Sequence, residues 1–173
     1  MSASRNSRRT ASPVRLSLAA VLGGEIDGAW WPRTGSMVRE LPDLVEALRP
    51  ALGEVVDISL NWSAGSVTPM MSTMTVAATA KIGVNAPRHR LMAFRGQNAD
   101  TRLLVVPAVT PATLALMVLR YAGARLISEQ DRASSVYERA DRIVRAARAD
   151  SSSWDAERAD QNPAGASTTN HEV

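Results

Sequence analysis

Between Val56 and Trp62 the chain alternates without exception. Val56, Ile58, Leu60 and Trp62 are apolar, while Asp57, Ser59 and Asn61 are polar. Successive side chains on a strand point to opposite faces, so this pattern predicts a strand with one buried and one wet face. A second alternation follows Pro69, with Met74, Val76, Ala78, Ala80 and Ile82 against Thr75, Ala77, Thr79 and Lys81, and Gly83 ends it. Leu103 to Val106 is different: a continuous apolar run stopped by Pro107, as in a strand covered on both faces. Residues 88–95 and 102–106 predict a hairpin around Gly96-Gln97-Asn98-Ala99-Asp100, a cluster of turn formers. Residues 14–22 read as an edge strand.

Helical periods separate these strands. Val38, Leu41, Val45 and Leu48 recur at spacings of three and four, and Pro42 inside the pattern places the start of the regular helix near itself. Thr110 is the expected N-cap of a second helix, with Pro111 in its first position, Val109 stapled against Leu114 and Gly123 at its end. Ser128 and Asp131 are set to cap a third. Its stripe is Ala133, Val136, Tyr137, Ala140, Ile143, Val144 and Ala147, and Glu138–Arg142 and Asp141–Arg145 are acid-before-base pairs. The elements together predict an α+β domain, a mostly antiparallel sheet of about five strands with two to three helices packed on one side.

Composition sets the limits. A chain of 173 residues, 45% hydrophobic and 21% charged, suits one folded domain. There is no Cys, which removes disulfides, thiolate metal sites and cysteine nucleophiles, and two His cannot make a histidine-rich metal centre. No cofactor is implied. Residues 1–13, rich in Ser and Arg, read as a disordered basic arm, residues 14–150 as the domain, and residues 151–173 as a disordered tail in which Trp154 has no expected role. The net charge of +3 hides an asymmetry, because residues 126–173 carry 6 basic and 9 acidic groups. All basic residues except Lys81 are Arg, a bias that a GC-rich genome would also produce. Arg8-Arg9 and the short apolar run Leu16–Leu22 do not make a signal peptide, since Glu25 and Asp27 stand where small residues would be expected. No segment approaches the roughly 20 apolar residues needed to span a bilayer. The chain reads as cytoplasmic.

The densest unusual segment is Asp27-Gly28-Ala29-Trp30-Trp31-Pro32-Arg33. On a strand the two indoles point to opposite sides. One reading makes Trp30 or Trp31 an exposed stacking platform beside Arg33; the other puts one in the core and the other over an edge. His89, between Arg88 and Arg90, is an anion contact or base in one reading and an exposed strand residue in the other. No nucleophile-elbow or phosphate-loop motif is present, and Asp27, Asp57 and Asp100 are too scattered in sequence to argue as a carboxylate pair.

Arg15-Leu16-Ser17-Leu18, Asp27 to Arg33, and Glu40 to Leu48 together resemble an actinobacterial family of short proteins of unknown function. Phe94-Arg95-Gly96-Gln97 and Leu103 to Pro107 extend the resemblance to about residues 15–122. Where members often carry Asp-Trp, this chain has Asn61-Trp62. The resemblance implies an actinobacterial, cytosolic origin and assigns no activity.

Three functions follow as expectations. The first is a non-catalytic interaction or regulatory module with an unknown protein partner or a second copy of itself, through an exposed Trp and the wet face of the sheet. The second is single-stranded nucleic-acid binding through Trp30 or Trp31, Trp62 and Arg33, Arg88, Arg90 and Arg95. The third is a small enzyme or binder of an anionic ligand, clamped by Arg33, Arg95 and His89. The candidate contact residues are thus Asp27, Trp30, Trp31, Arg33, Trp62, His89 and Arg95. No membrane partner is expected.

Overall fold

A computed structural model describes residues 13–62 and 89–161. The elements are β1 (Leu16–Leu18), β2 (Gly28–Trp30), α1 (Met37–Leu52), β3 (Val55–Leu60), β4 (Leu91–Gly96), β5 (Asp100–Val105), α2 (Ala112–Ala122), α3 (Glu129–Arg132) and α4 (Ser135–Gln161). The strands form one sheet in the order β1-β2-β5-β4-β3. Every neighbouring pair is antiparallel except β2 with β5. The chain is therefore α+β with a mostly antiparallel sheet, as the sequence pattern indicates. The expected alternation from Met74 to Ile82 and the basic arm up to residue 12 lie outside the described residues.

The helices occupy both faces of the sheet, not one as the sequence reading expected. Leu44, Leu48 and Leu52 of α1 pack with Trp30, Ile58, Met92, Phe94, Leu103 and Val105. On the opposite face α2 and α4 cover Ala29, Trp31, Leu91, Leu104 and Val106, with Val118, Ala122, Ala140 and Val144 in the same cluster. The reason lies in the apolar run of β5. Leu103 and Val105 face one side and Leu104 and Val106 the other, so both faces must be removed from water.

Local boundaries shift for identifiable reasons. Helix α1 begins at Met37, and Pro42 and Pro50 both lie inside it. Both prolines are exposed, so water reaches the carbonyls their missing N–H groups leave free. Val56, expected on the buried face, is 56% exposed because the β3–β4 register shifts between Val55 and Asp57. Helix α2 starts one residue late, its N-cap Pro111 has no side-chain cap, and Val109 is exposed instead of forming a staple. Ser128 does cap α3, accepting from the Asp131 N–H at 3.1 Å. Gly123 ends α2 as expected, but its φ of −83° is ordinary. Its lack of a side chain matters because a Cβ there would lie 2.1 Å from the Ser17 hydroxyl on β1.

The largest difference is at the C-terminal side. Residues 151–161, expected as the start of a tail, continue α4. The buried positions Ala140, Val144, Ala147, Ser151 and Trp154 repeat at four, three, four and three residues, so one stripe runs unbroken across residue 150. Tyr121 of α2 donates to Asp141 of α4 at 2.6 Å, which fixes the two helices side by side.

Replacing Trp154 by Ala is expected to cost about 3–5 kcal/mol in urea denaturation, the usual range for emptying a buried Trp site. A tail residue would cost nothing measurable.

Candidate functional site

Asp27 lies just before β2 and is buried, with 2% of its surface exposed. Its Oδ1 accepts from the backbone N–H groups of Gly23 and Gly24 at 2.9 and 2.7 Å. Its Oδ2 accepts from the Thr101 hydroxyl at 3.2 Å and the Arg102 N–H at 3.0 Å. Four donors satisfy both oxygens, so Asp27 stitches the 23–24 turn to β5.

Trp30 and Trp31 do point to opposite faces, but both are buried. The Arg15 guanidinium lies 3.6 Å from the Trp31 ring centroid, while its Nε donates to the Trp31 carbonyl at 3.0 Å and its Nη2 to that of Pro32 at 2.6 Å. The chain supplies its own cation to that indole. The Arg33 guanidinium donates to the Pro13 carbonyl, and its backbone N–H donates to Glu40 at 2.9 and 2.8 Å. Partial burial raises the Glu40 pKa most among single effects, yet the Arg33 and Thr34 donors together outweigh it and hold the carboxyl below its ordinary value.

His89 is tied to α4. Its Nδ1 and its backbone N–H both lie 2.9 Å from one Asp150 oxygen. Asn61 locks the adjacent crossing: its Nδ2 donates to the His89 carbonyl at 2.8 Å and its Oδ1 accepts from the Leu91 N–H at 2.8 Å. An aspartate could accept but not donate there. Trp62 is half-buried, with the Arg90 guanidinium 5.8 Å away. Of Arg33, Arg95 and His89, Arg95 lines an open basin and the other two do not; the Arg33 guanidinium is engaged with Pro13 and the His89 ring with Asp150.

Arg95 belongs to another place. Asp57 of β3, Arg95 of β4 and Asp100 of β5 are register partners, so they form one row across three strands. The next row is Ser59, Ala93 and Arg102. Both rows line an open basin of about 350 Å³, with Asp27 and the 23–24 turn at one end and Asp155 and Arg158 of α4 above. The three aspartates too distant to relate in sequence are thus gathered by strand register and the Asp27 hydrogen bonds. In this basin Asp57 accepts from the Ser59 hydroxyl at 3.2 Å. Among the described residues, no ion pair involves Asp57, Arg95 or Asp100.

Arg102 and Asp155 escaped the sequence reading. Arg102 grips Asp155 in a fork, with Nη1–Oδ2 at 2.9 Å and Nη2–Oδ1 at 2.7 Å, and its Nη1 also donates to Ser151. Its guanidinium lies 5.2 Å from the Trp154 ring. Ser151 donates onward to the Glu25 carbonyl at 2.6 Å, so sheet, helix and the segment before β2 meet at one guanidinium. The signal in the sequence is Arg102, a charge set directly against the apolar run Leu103–Val106.

The chain belongs to the DUF5994 family of unknown function, whose model matches residues 15–122. No curated protein and no solved structure matches it. Among the described residues, no helix is long and apolar enough to cross a membrane, and no three His, Asp or Glu side chains are grouped to hold a metal ion.

The Arg102 hydrogen bonds lower the Asp155 pKa from its ordinary value of 3.8, against the opposing effect of burial. A depressed folded-state value means the stabilisation is complete above the ordinary carboxylate range and is lost as the pH falls through the lowered value. Hydrogen-exchange protection of amides 150–161 should therefore fall in acid ahead of that of β4 and β5. Asp155→Asn should reduce it at neutral pH. Protection that tracks the sheet at every pH would show that the fork does not hold the helix end.

Proposed function

We propose that this chain is a non-catalytic, cytoplasmic binding module, and that its contact surface is the basin between the sheet and the end of α4. The observation that supports the reading is the Asp57–Arg95–Asp100 row. Three charges in register across three strands face an open cavity, and none is taken up by an ion pair among the described residues. Several other charges are engaged within the fold, as in Arg15 on Trp31, His89 with Asp150 and Arg102 with Asp155. Open polar groups in a cavity of this size suit recognition of a partner or ligand group. The Ser59 hydroxyl has only Asp57 beside it as an acceptor, which supports recognition over nucleophilic chemistry.

The nucleic-acid reading has less support. Its stacking platform needs open aromatic faces, and both members of the Trp pair are covered. The basin's arginines also stand among aspartates, which repel a phosphate backbone.

Two titrations of the isotopically labelled full chain test the proposal. A single-stranded oligonucleotide is expected to give no saturable, salt-sensitive shifts. A soluble small-molecule extract is expected to move amides in residues 57–59, 93–95 and 100–102, and Arg95→Glu to abolish those shifts. Responses centred on Trp30–Arg33, or unchanged in Arg95→Glu, would overturn it.

A further inference from the structure

The basin's charge arrangement narrows the chemistry of what it can take. Three of its lining charges are already committed: Arg102 and Asp155 are forked together, and Asp27 has four donors on its two oxygens. The open groups that remain are the row Asp57, Arg95 and Asp100, while Arg158 also lines the basin and helps lower the Asp155 pKa. Arg158 lies 5.5 Å from the Trp154 ring, and its guanidinium makes no ion pair among the described residues. A dianion placed against Arg95 would meet a carboxylate on either side. A dication placed against Asp57 or Asp100 would meet Arg95 in the middle. Either ligand leaves at least one charge worse off than in water.

From this alternation we infer that the basin takes a small zwitterion of the free amino-acid type, with its carboxylate on Arg95 and its ammonium on Asp57 or Asp100. The inference rests on the basin being the contact surface and goes further by fixing the ligand class. Neighbouring residues on paired strands are about 5 Å apart, which brings an acceptor for the ammonium within reach of the guanidinium that holds the carboxylate. The guanidinium offers the carboxylate a two-point contact, and the flanking aspartates offer the ammonium charged acceptors. Beyond these groups the next row is Ser59, Ala93 and Arg102, two polar residues and one small one, so the rest of the ligand is small. Nothing in the basin suggests a bond made or broken; the ligand is held and released.

The test is calorimetric titration of the intact chain with the common L-amino acids in turn, followed by the N-acetyl and methyl-ester forms of the tightest. The acetyl form keeps only the carboxylate and the ester only the ammonium. Each is expected to bind about tenfold or more weakly than the parent, from the loss of one charged hydrogen-bonding group. Arg95→Lys, which keeps the charge and loses the fork, and Asp57→Asn should weaken the parent similarly. Both sites lie on the basin side of the sheet, away from the α1 core, and circular dichroism checks the fold. Equal binding of the acetyl form, or of the ester, would overturn the zwitterion assignment and leave the basin as an anion or cation site. Tight binding of the parent that neither substitution weakens would overturn the basin itself as the contact surface. Absence of binding by every amino acid would overturn the ligand class, while the extract titration above still decides the surface.

Discussion

Strand β5 must be covered on both faces, and most of the architecture follows from that. Leu103 and Val105 need a partner layer on one side, and Leu104 and Val106 need one on the other. Among the described residues, helix α1 is the only helix in the first cluster, and α2 with α4 supply the second. β5 sits at the centre of the sheet between β2 and β4, so neither of its edges is left open, and both faces of its Leu103–Val105 stretch are covered. A strand so placed suits a continuous apolar run, and an alternating one would put polar groups into one of the two cores.

Arg102 breaks that rule on the α4 side. A guanidinium beside Leu104 and beneath a helix has to be matched, and α4 matches it with Asp155, Ser151 and the face of Trp154. The polar cluster that results prevents the apolar core from extending to the end of the sheet. The basin exists because of this. Where Leu91, Leu104 and Val144 pack, the space is filled, and beyond Arg102 the sheet face carries charged and small residues and stays open. One buried-side charge thus decides where the core stops and a wet cavity begins.

Among the described residues the sequence made strands legible where the hydrophobic period was unbroken, as at β3 (Val55–Leu60) and the apolar run that ends β5. It said little about which face each helix covers, because that depends on the connections between strands, not on any local pattern. Val56 kept the alternation and is still exposed, since a bulge shifts its register without changing composition. The end of α4 was hidden by Ser151-Ser152-Ser153, which reads as tail, although Ser151 and Trp154 continue the stripe of Ala140, Val144 and Ala147. The buried serine is accommodated by its hydrogen bonds to Arg102 and to the Glu25 carbonyl, partners far away in sequence. The Trp pair stood out in an aromatic-poor chain, yet it was informative about the core. The aspartates looked unrelated because their relation is one of register across strands.

The family match ends at residue 122, and this divides the basin in two. Asp27, Asp57, Arg95, Asp100 and Arg102 lie inside the matched region, on the sheet and the loop before β2. Asp150, Ser151, Trp154, Asp155 and Arg158 lie beyond it, all on α4. The groups left open for a ligand are therefore mostly those of the sheet, whereas the groups that close the fold over Arg102 belong to the helix. Any chain that keeps Arg102 must give it partners, because an unmatched guanidinium facing that core is costly. It follows that recognition and cover are separable in this architecture. In the proposed reading the strand row sets which charges a ligand carries, and the helix end covers the basin beside it.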